Sequence, residues 1–513
     1  MKLDRTRNTI RNTVWGMIYR MATIIGPFIV KTLLVYQLGV EYSGLSSLFT
    51  SILTVLNLTN LGFNSAVVFT MYKAIVDDDI EEQCAMVNFY RKAYRVVGIV
   101  ILGLGAIVML FLPHLVQGEC PPDINMYVLF AIYLAETTFD YFIFAYDAAI
   151  FTAYQRNDIT LKIQTVRYTV QYLLQALALV LFKNYYVYII IAVLMVIPNN
   201  VANHIMSNKL YPKVTCKGDV GPEVKKDIYN RVITLFGHKL GNTMLVSVDS
   251  IIISAFLGLT AMGLYGNYYY ILTAVNALVE IVTNGALSGI GNKLYTDSKE
   301  ENYSLFKTMN YGWLFIIGLA ASCMLCLYQP FIGGIWYNEK YLLSNTIVIL
   351  LVIYFYSWMF RIMQFTYRDA AGLWTKDWLK PYVGMVINIL GSIFLVKTTG
   401  SIAGVLIPTI FVFWFIYFPW EASVLSKHLF ENSLKKYIFT VIKYTIVSVI
   451  GCTCSYMLSI IVSPANSLVS FIVRLPIAVI IYSCIWVLLT HRNEEYKAAK
   501  QRALSWVGKR RTK

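Results

Sequence analysis

Apolar residues in this chain come in long, nearly unbroken runs, not in the one-sided or alternating patterns of a water-soluble protein. Fourteen runs come near the ~20 residues a helix needs to cross ~30 Å of hydrocarbon. They lie at 12–37, 44–72, 95–116, 123–153, 163–182, 185–207, 230–257, 262–291, 308–331, 342–371, 380–396, 400–426, 437–462 and 465–490. The polar breaks between them are short. The longest, 208–229, contains KVTCKGDVGPEVKKD and reads as a linker. The pattern predicts an all-α integral membrane protein of about fourteen transmembrane helices.

Within that pattern the chain repeats itself. Residues 37–57, QLGVEYSGLSSLFTSILTVLN, lie over 256–276, FLGLTAMGLYGNYYYILTAVN, at an offset of 219. Eight of the 21 positions are identical, among them Gly39/Gly258, Gly44/Gly263, Thr54/Thr273 and Asn57/Asn276. A second stretch agrees at an offset of 221, pairing Tyr133 with Tyr354, Phe139 with Phe360, Phe144 with Phe365 and Tyr146 with Tyr367. Copies six spans apart run in the same direction through the bilayer, so they are parallel repeats about an axis along the membrane normal. The expected organisation is an N-lobe of six spans over 1–207, a linker over 208–229 and a C-lobe of six spans over 230–426. Two extra helices over 427–490 and a basic tail over 491–513 follow. Two like-oriented bundles leave a central cleft, and rocking about it gives alternating access.

Charge changes the picture by fixing orientation. Of 513 residues, 58% are hydrophobic and 14% charged, with a net charge of +15. If the N-terminus is inside, 32 Lys and Arg fall in inner segments and the tail, against three (Lys183, Lys340, Lys397) in outer loops. The positive-inside rule then places both termini in the cytosol. The net charge is a topology signal and an attraction to anionic lipid, not a sign of nucleic acid. The tail YKAAKQRALSWVGKRRTK, with apolar residues at helical spacing, is expected on that lipid surface. No cleavable signal is expected, because the run after the basic Met1–Arg11 segment is too long.

Cys323-x-x-Cys326 and Cys452-x-Cys454 sit inside spans and read as small buried hydrophobes. There is no HExxH pair and no phosphate loop, so neither a metal nor a cofactor is expected.

The stretch RNTVWGMIYRMATIIGPFIVKTLLVYQLGVEYSGLSSLFTSILTVLNLTNLGFNSAVVFTMYKAI and the following DDDIEEQCAMVNFYRKAYRVVG resemble polysaccharide flippases. These form the Wzx-like branch of the multidrug/oligosaccharidyl-lipid/polysaccharide exporter superfamily. The resemblance is sharpest over 8–98. It implies a multi-pass protein of the bacterial plasma (inner) membrane, with no enzyme activity. The implied activity is flipping undecaprenyl-pyrophosphate-linked oligosaccharide to the outer leaflet for capsule, exopolysaccharide or O-antigen-type polysaccharide. Partners implied are the lipid-linked oligosaccharide and a polysaccharide polymerase, with the chain itself a monomer. It also implies that spans 1, 7 and 8 line the cleft.

A charge at mid-bilayer costs at least ~2.5 kcal/mol, so each intramembrane ion needs a reason. Arg20 and Lys239 match at the 219 offset, one cation in each lobe. Together with Lys31, Arg361, Arg368 and Arg474 they are candidates to hold a pyrophosphate, for which Arg offers a bidentate fork. Arg20 snorkelling to the inner face, or neutralising an acid of its own lobe, is the competing reading. Glu136, Asp140 and Asp147 share one face of span 4; with Asp249 they are candidates for a coupling proton or sodium ion, or else structural partners of Arg20 or Arg167. At the 221 offset Asp140 meets Arg361 and Asp147 meets Arg368. One tyrosine of the run Tyr268-Tyr269-Tyr270 is a candidate for stacking on sugar. The alternative function is a cation-coupled multidrug exporter of the same superfamily, which would favour acids over bases in the cleft. A membrane glycosyltransferase or polymerase would need larger outer loops than GVEYSG, GLTAMG or KTTG.

Overall fold

The computed structural model describes residues 5–57, 63–118, 120–430, 434–462, 464 and 466–511. Among them no strand occurs. In lipid each backbone polar group must bond within its own segment, and the helix is the element that does this. The chain divides into two compact units, residues 1–263 and 264–513.

The first unit contains α1 (Arg5–Gln37), α2 (Val40–Leu56), α3 (Phe63–Val76), α4 (Ile80–Leu115), α5 (Met126–Phe142), α6 (Asp147–Ala153), α7 (Asn157–Leu181) and α8 (Tyr185–Leu210). The long α9 (Pro222–Thr296) follows and is interrupted at Gly258, where the backbone turns out of helical geometry (φ 85°, ψ 177°). The second unit contains α10 (Lys299–Phe331), α11 (Asn345–Met359), α12 (Ile362–Ala370), α13 (Lys380–Thr399), α14 (Ala403–Phe411), α15 (Phe418–Leu425), α16 (Leu434–Ile461), α17 (Ser467–Thr490) and α18 (Glu494–Arg511). Helix starts carry their own stops. Asp79 accepts from the Glu82 amide at 2.9 Å, Asn125 caps α5, Asn184 caps α8, and Ser298 with Glu301 forms a capping box on α10.

Among the described residues ten helices are long and apolar enough to cross a membrane, or eleven if the bent pair α5–α6 is one span. The remaining expected stretches are helical but differ in form. The stretch 44–72 appears as the shorter α2 and α3, with 58–62 outside the described residues. Spans expected at 230–257 and 262–291 are joined through the Gly258 break. Helix α7 is 25 residues long, but its charges and amides make it less apolar than those ten. The expected linker is held down: the Asn88 side chain donates to the Gly218 carbonyl at 2.7 Å, and the Thr215 amide donates to the Cys84 sulfur at 3.1 Å.

The repeated stretch recurs as backbone geometry. Gly39 (φ 126°, ψ 170°) and Gly258 (φ 85°, ψ 177°) both occupy extended, positive-φ backbone that residues with a Cβ avoid. Each precedes a helical turn whose glycine lies against the other copy. A Cβ on Gly44 would stand 2.2 Å from the Leu259 carbonyl oxygen, and one on Gly263 would stand 2.2 Å from that of Val40. Between them the Thr260 hydroxyl donates to Glu41 at 3.1 Å. Positions 40, 41 and 44 are the 219-offset mates of 259, 260 and 263. The two copies therefore cross reciprocally, at a separation only glycine allows.

Candidate functional site

Span 4 is broken. Helices α5 and α6 are bent by 58° across residues 143–146, and Phe144 sits at φ 52°. The three carboxylates of the acidic face flank this bend. Asp140 accepts from the Asn200 side chain at 2.9 Å, and Asn200 in turn accepts from Asn199 at 2.9 Å. Asp147, on the first turn of α6, is buried and bonds His204 Nδ1 at 2.7 Å. The Asn208 side chain lies 3.0 Å from His204 Nε2, and Phe144 stacks on the imidazole at 4.0 Å. A neutral imidazole protonated on Nδ1 satisfies both contacts. Glu136 is half-buried, within electrostatic reach of Arg167 and Asp140. The partners of Asp140 and Asp147 are thus an amide and an imidazole on α8, not Arg20 or Arg167.

The second unit repeats the break and inverts the charge. Helix α11 stops at Met359 and α12 starts at Ile362, with Arg361 at the discontinuity. Arg361 is buried and grips Glu421 with two nitrogens, its Nε donating to Oε2 at 3.0 Å. Phe365, Phe413 and Tyr417 surround the guanidinium within 4.9 Å. Arg361 lies 221 residues after Asp140, and Glu421 lies 221 after Asn200. The same inter-helix contact thus holds a carboxylate and an amide in one repeat and an ion pair in the other.

That pair extends into a buried network. Lys380 donates to Glu421 at 2.8 Å and to Asp377 at 2.6 Å, and Arg368 donates to Asp377 at 2.8 Å and to Asp369 at 2.9 Å. Three cations (Arg361, Arg368, Lys380) face three carboxylates (Glu421, Asp377, Asp369), so the cluster is neutral. Asp369 is exposed; burying the other five charges costs several kcal/mol each, recovered only because each finds opposite charge at hydrogen-bond distance. Asp377 lies in the loop before α13. Burial would raise its carboxyl, but Lys380 and Arg368 outweigh burial and hold it below the usual carboxylate range. Glu421 stands on α15, between π-helical turns at 412–417 and 426–430.

The other expected site residues are scattered. Arg20 is exposed near the middle of α1, beside Tyr19; Lys31, toward the end of α1, is half-buried. The side chain of Lys239 lies outside the described residues. Asp249 is buried, and Arg474 donates to the Cys326 carbonyl at 3.4 Å. Tyr268 is buried, donating to Gln329 at 2.7 Å and accepting from the Leu343 amide at 3.1 Å. Sequence reading missed Asn200, His204, Asp377, Lys380 and Glu421. Glu421 had a signal, being an acid inside an expected span.

Solved structures with a similar fold include MATE family transporters and a lipid II flippase. An inward-facing multidrug resistance MATE family transporter of the MOP superfamily matches at TM-score 0.63 and 15% identity, over 82% of this chain and 99% of its own. The lipid II flippase MurJ, in an inward closed conformation, matches at TM-score 0.59 and 14% identity, over 94% and 99%. A eukaryotic MATE transporter matches at 0.56 and 10%, over 86% and 99%. A search of curated proteins found no match. The family described as "Polysaccharide biosynthesis protein" matches residues 9–287, more than half of the chain. This chain is a multi-pass helical membrane protein that shares its fold with these structures and belongs to the polysaccharide biosynthesis protein family.

Proposed function

We propose that the protein flips undecaprenyl-pyrophosphate-linked oligosaccharide repeat units from the inner to the outer leaflet of a bacterial plasma membrane, by alternating access. Membership of a polysaccharide biosynthesis family supports a saccharide cargo. The observation that carries the lipid-pyrophosphate reading is Arg20, an exposed cation near the middle of an apolar helix. Such a cation, costly toward lipid, suits a polar path and an anionic head group. With Lys239 at the equivalent place in the second repeat, it clamps the pyrophosphate. Glu136 and Asp140, set against Arg167 and Asn200, are the groups proposed to take up a coupling proton or sodium ion.

The test is export in cells. A clean deletion should leave lipid-linked repeat units on the inner leaflet while their synthesis continues. Arg20→Ala and Lys239→Ala should cripple export at normal protein abundance, each losing a charge-assisted contact of roughly 1.5–3 kcal/mol. Arg20→Lys should be milder, since charge remains without the fork. Normal export in the deletion, with no redundant flippase, would defeat the reading. Intact export with drug hypersensitivity would favour the multidrug exporter, the second reading that the MATE likeness keeps in view.

A further inference from the structure

A cavity of about 630 Å³ lies between α1, α7 and α8 in the first unit, and Arg20 is not among its lining residues. Its size is that of small-molecule sites. Four cations line it: Arg11 from α1, and Arg156, Lys162 and Arg167 at and after the start of α7. One carboxylate, Asp158, stands among them and is taken by Arg156 in a two-point pair at 2.8 and 3.2 Å. Arg167 has Glu136 as a charge neighbour, yet its buried Nε has no hydrogen-bond acceptor among the described residues. Asn12 holds the wall in place. Its side chain accepts from the Asp158 amide at 2.7 Å and donates to the Gln155 carbonyl at 3.2 Å, fixing the Arg11 turn against α7. Lys162 lies 5.6 Å from the ring of Trp15, which also lines the cavity.

Apart from Asn199 the rest of the lining is apolar, including Val166, Val170, Met195 and Met206. From Val166 an exposed apolar stripe continues along α7 through Leu173 and Leu177. Spacings of seven and eleven keep these three on one helix face. A cationic end joined to an apolar stripe matches an amphiphile with an anionic head. A soluble anion would have no use for the stripe.

We infer that this cavity binds the phosphate or pyrophosphate head of a lipid, with Arg11, Lys162 and Arg167 contacting the head and the hydrocarbon lying along α7. Two lipids carry that chemistry. One is an anionic phospholipid of the bilayer; the other is the polyprenyl pyrophosphate of the proposed substrate, in which case the inference rests on that function. Arginine forks supply two parallel donors to phosphate oxygens, and Lys162 adds a point charge.

Native mass spectrometry of the purified full-length protein tests this with three probes: undecaprenyl pyrophosphate, phosphatidylglycerol and, as a zwitterionic control, phosphatidylcholine. The double variant Arg11→Gln/Lys162→Gln should lose about tenfold or more in affinity for an anionic probe, as expected from losing charge-assisted contacts. Phosphatidylcholine binding should be unchanged, which also shows that the variant is folded. Arg11→Lys with Lys162→Arg should restore binding. Loss confined to undecaprenyl pyrophosphate identifies the substrate lipid; loss confined to phosphatidylglycerol identifies a bilayer lipid. Unchanged affinity for both, in this variant and in Arg167→Gln, would overturn the inference. That failure would leave the export phenotype of Arg20→Ala standing. Normal export in the deletion strain would instead remove the flippase reading and leave a phosphatidylglycerol-selective loss intact.

Discussion

Glu421→Gln isolates the energetics of the buried network. Glu421 receives both Arg361 nitrogens and the Lys380 ammonium, the last at 2.8 Å. The amide keeps the shape but removes the charge, so Arg361 loses its carboxylate and Lys380 keeps Asp377, which it shares with Arg368. Breaking a buried pair from one side costs about 3–5 kcal/mol. That is a large share of the ~5–15 kcal/mol that holds a typical domain together. The variant should reach the membrane in reduced amount and melt at a lower temperature in detergent, measured by fluorescence-detected size exclusion after heating. Arg361→Met/Glu421→Gln removes one charge of each sign. Lys380 with Asp377 and Arg368 with Asp369 still balance, so much of the loss should return. A single variant as stable as the parent, or a double variant worse than the single, would refute the argument. Asp377 adds a pH signature. Its carboxyl is held below its usual value near ~3.9, so its stabilising share is present at neutral pH and is lost as pH falls through the lowered value. Normal export by the double variant would assign Arg361 to the fold and not to substrate.

Two further outcomes follow from the geometry. Gly44→Ala and Gly263→Ala each set a methyl 2.2 Å from a backbone oxygen, so both should lower abundance, whereas Gly103→Ala and Gly312→Ala point into open space and should not; equal abundance of all four would refute the close crossing. In a cysteine-free background, a cysteine at Glu41 should react with an impermeant thiol reagent in intact cells and one at Asp219 should not, while reaction at 219 would overturn the proposed orientation.

The helices were legible because bilayer thickness writes itself into the sequence as run length. The duplication was legible because glycine is a backbone demand: Gly39/Gly258 and Gly44/Gly263 stay identical since no side chain fits there. The reach of that signal ended at side-chain pairing. Asn200 and Glu421 share a place and a role but no chemistry, so an identity count passes over them, and the Asp140/Arg361 inversion showed at the 221 offset without the partner each ion takes. Which acid meets which base depends on how α8 packs on α5 and α15 on α12, and apolar run length carries no record of it. The break at 143–146 was hidden for a related reason. Its sequence, IFAY, is as apolar as the helix on either side.

A crossing in which position 44 meets the mate of 40, and the mate of 44 meets 40, has the form of an isologous contact. Two separate copies of one chain would make it across a twofold axis; here one polypeptide supplies both halves. Off the axis the copies have drifted, with Tyr42 and Ser46 answered by Ala261 and Tyr265. The two glycines at the crossing have not, because a Cβ on either one meets the same obstruction. Any later enlargement there would have to be matched by retreat on the opposite side, so the two glycines form a single inherited unit, though 219 residues separate them.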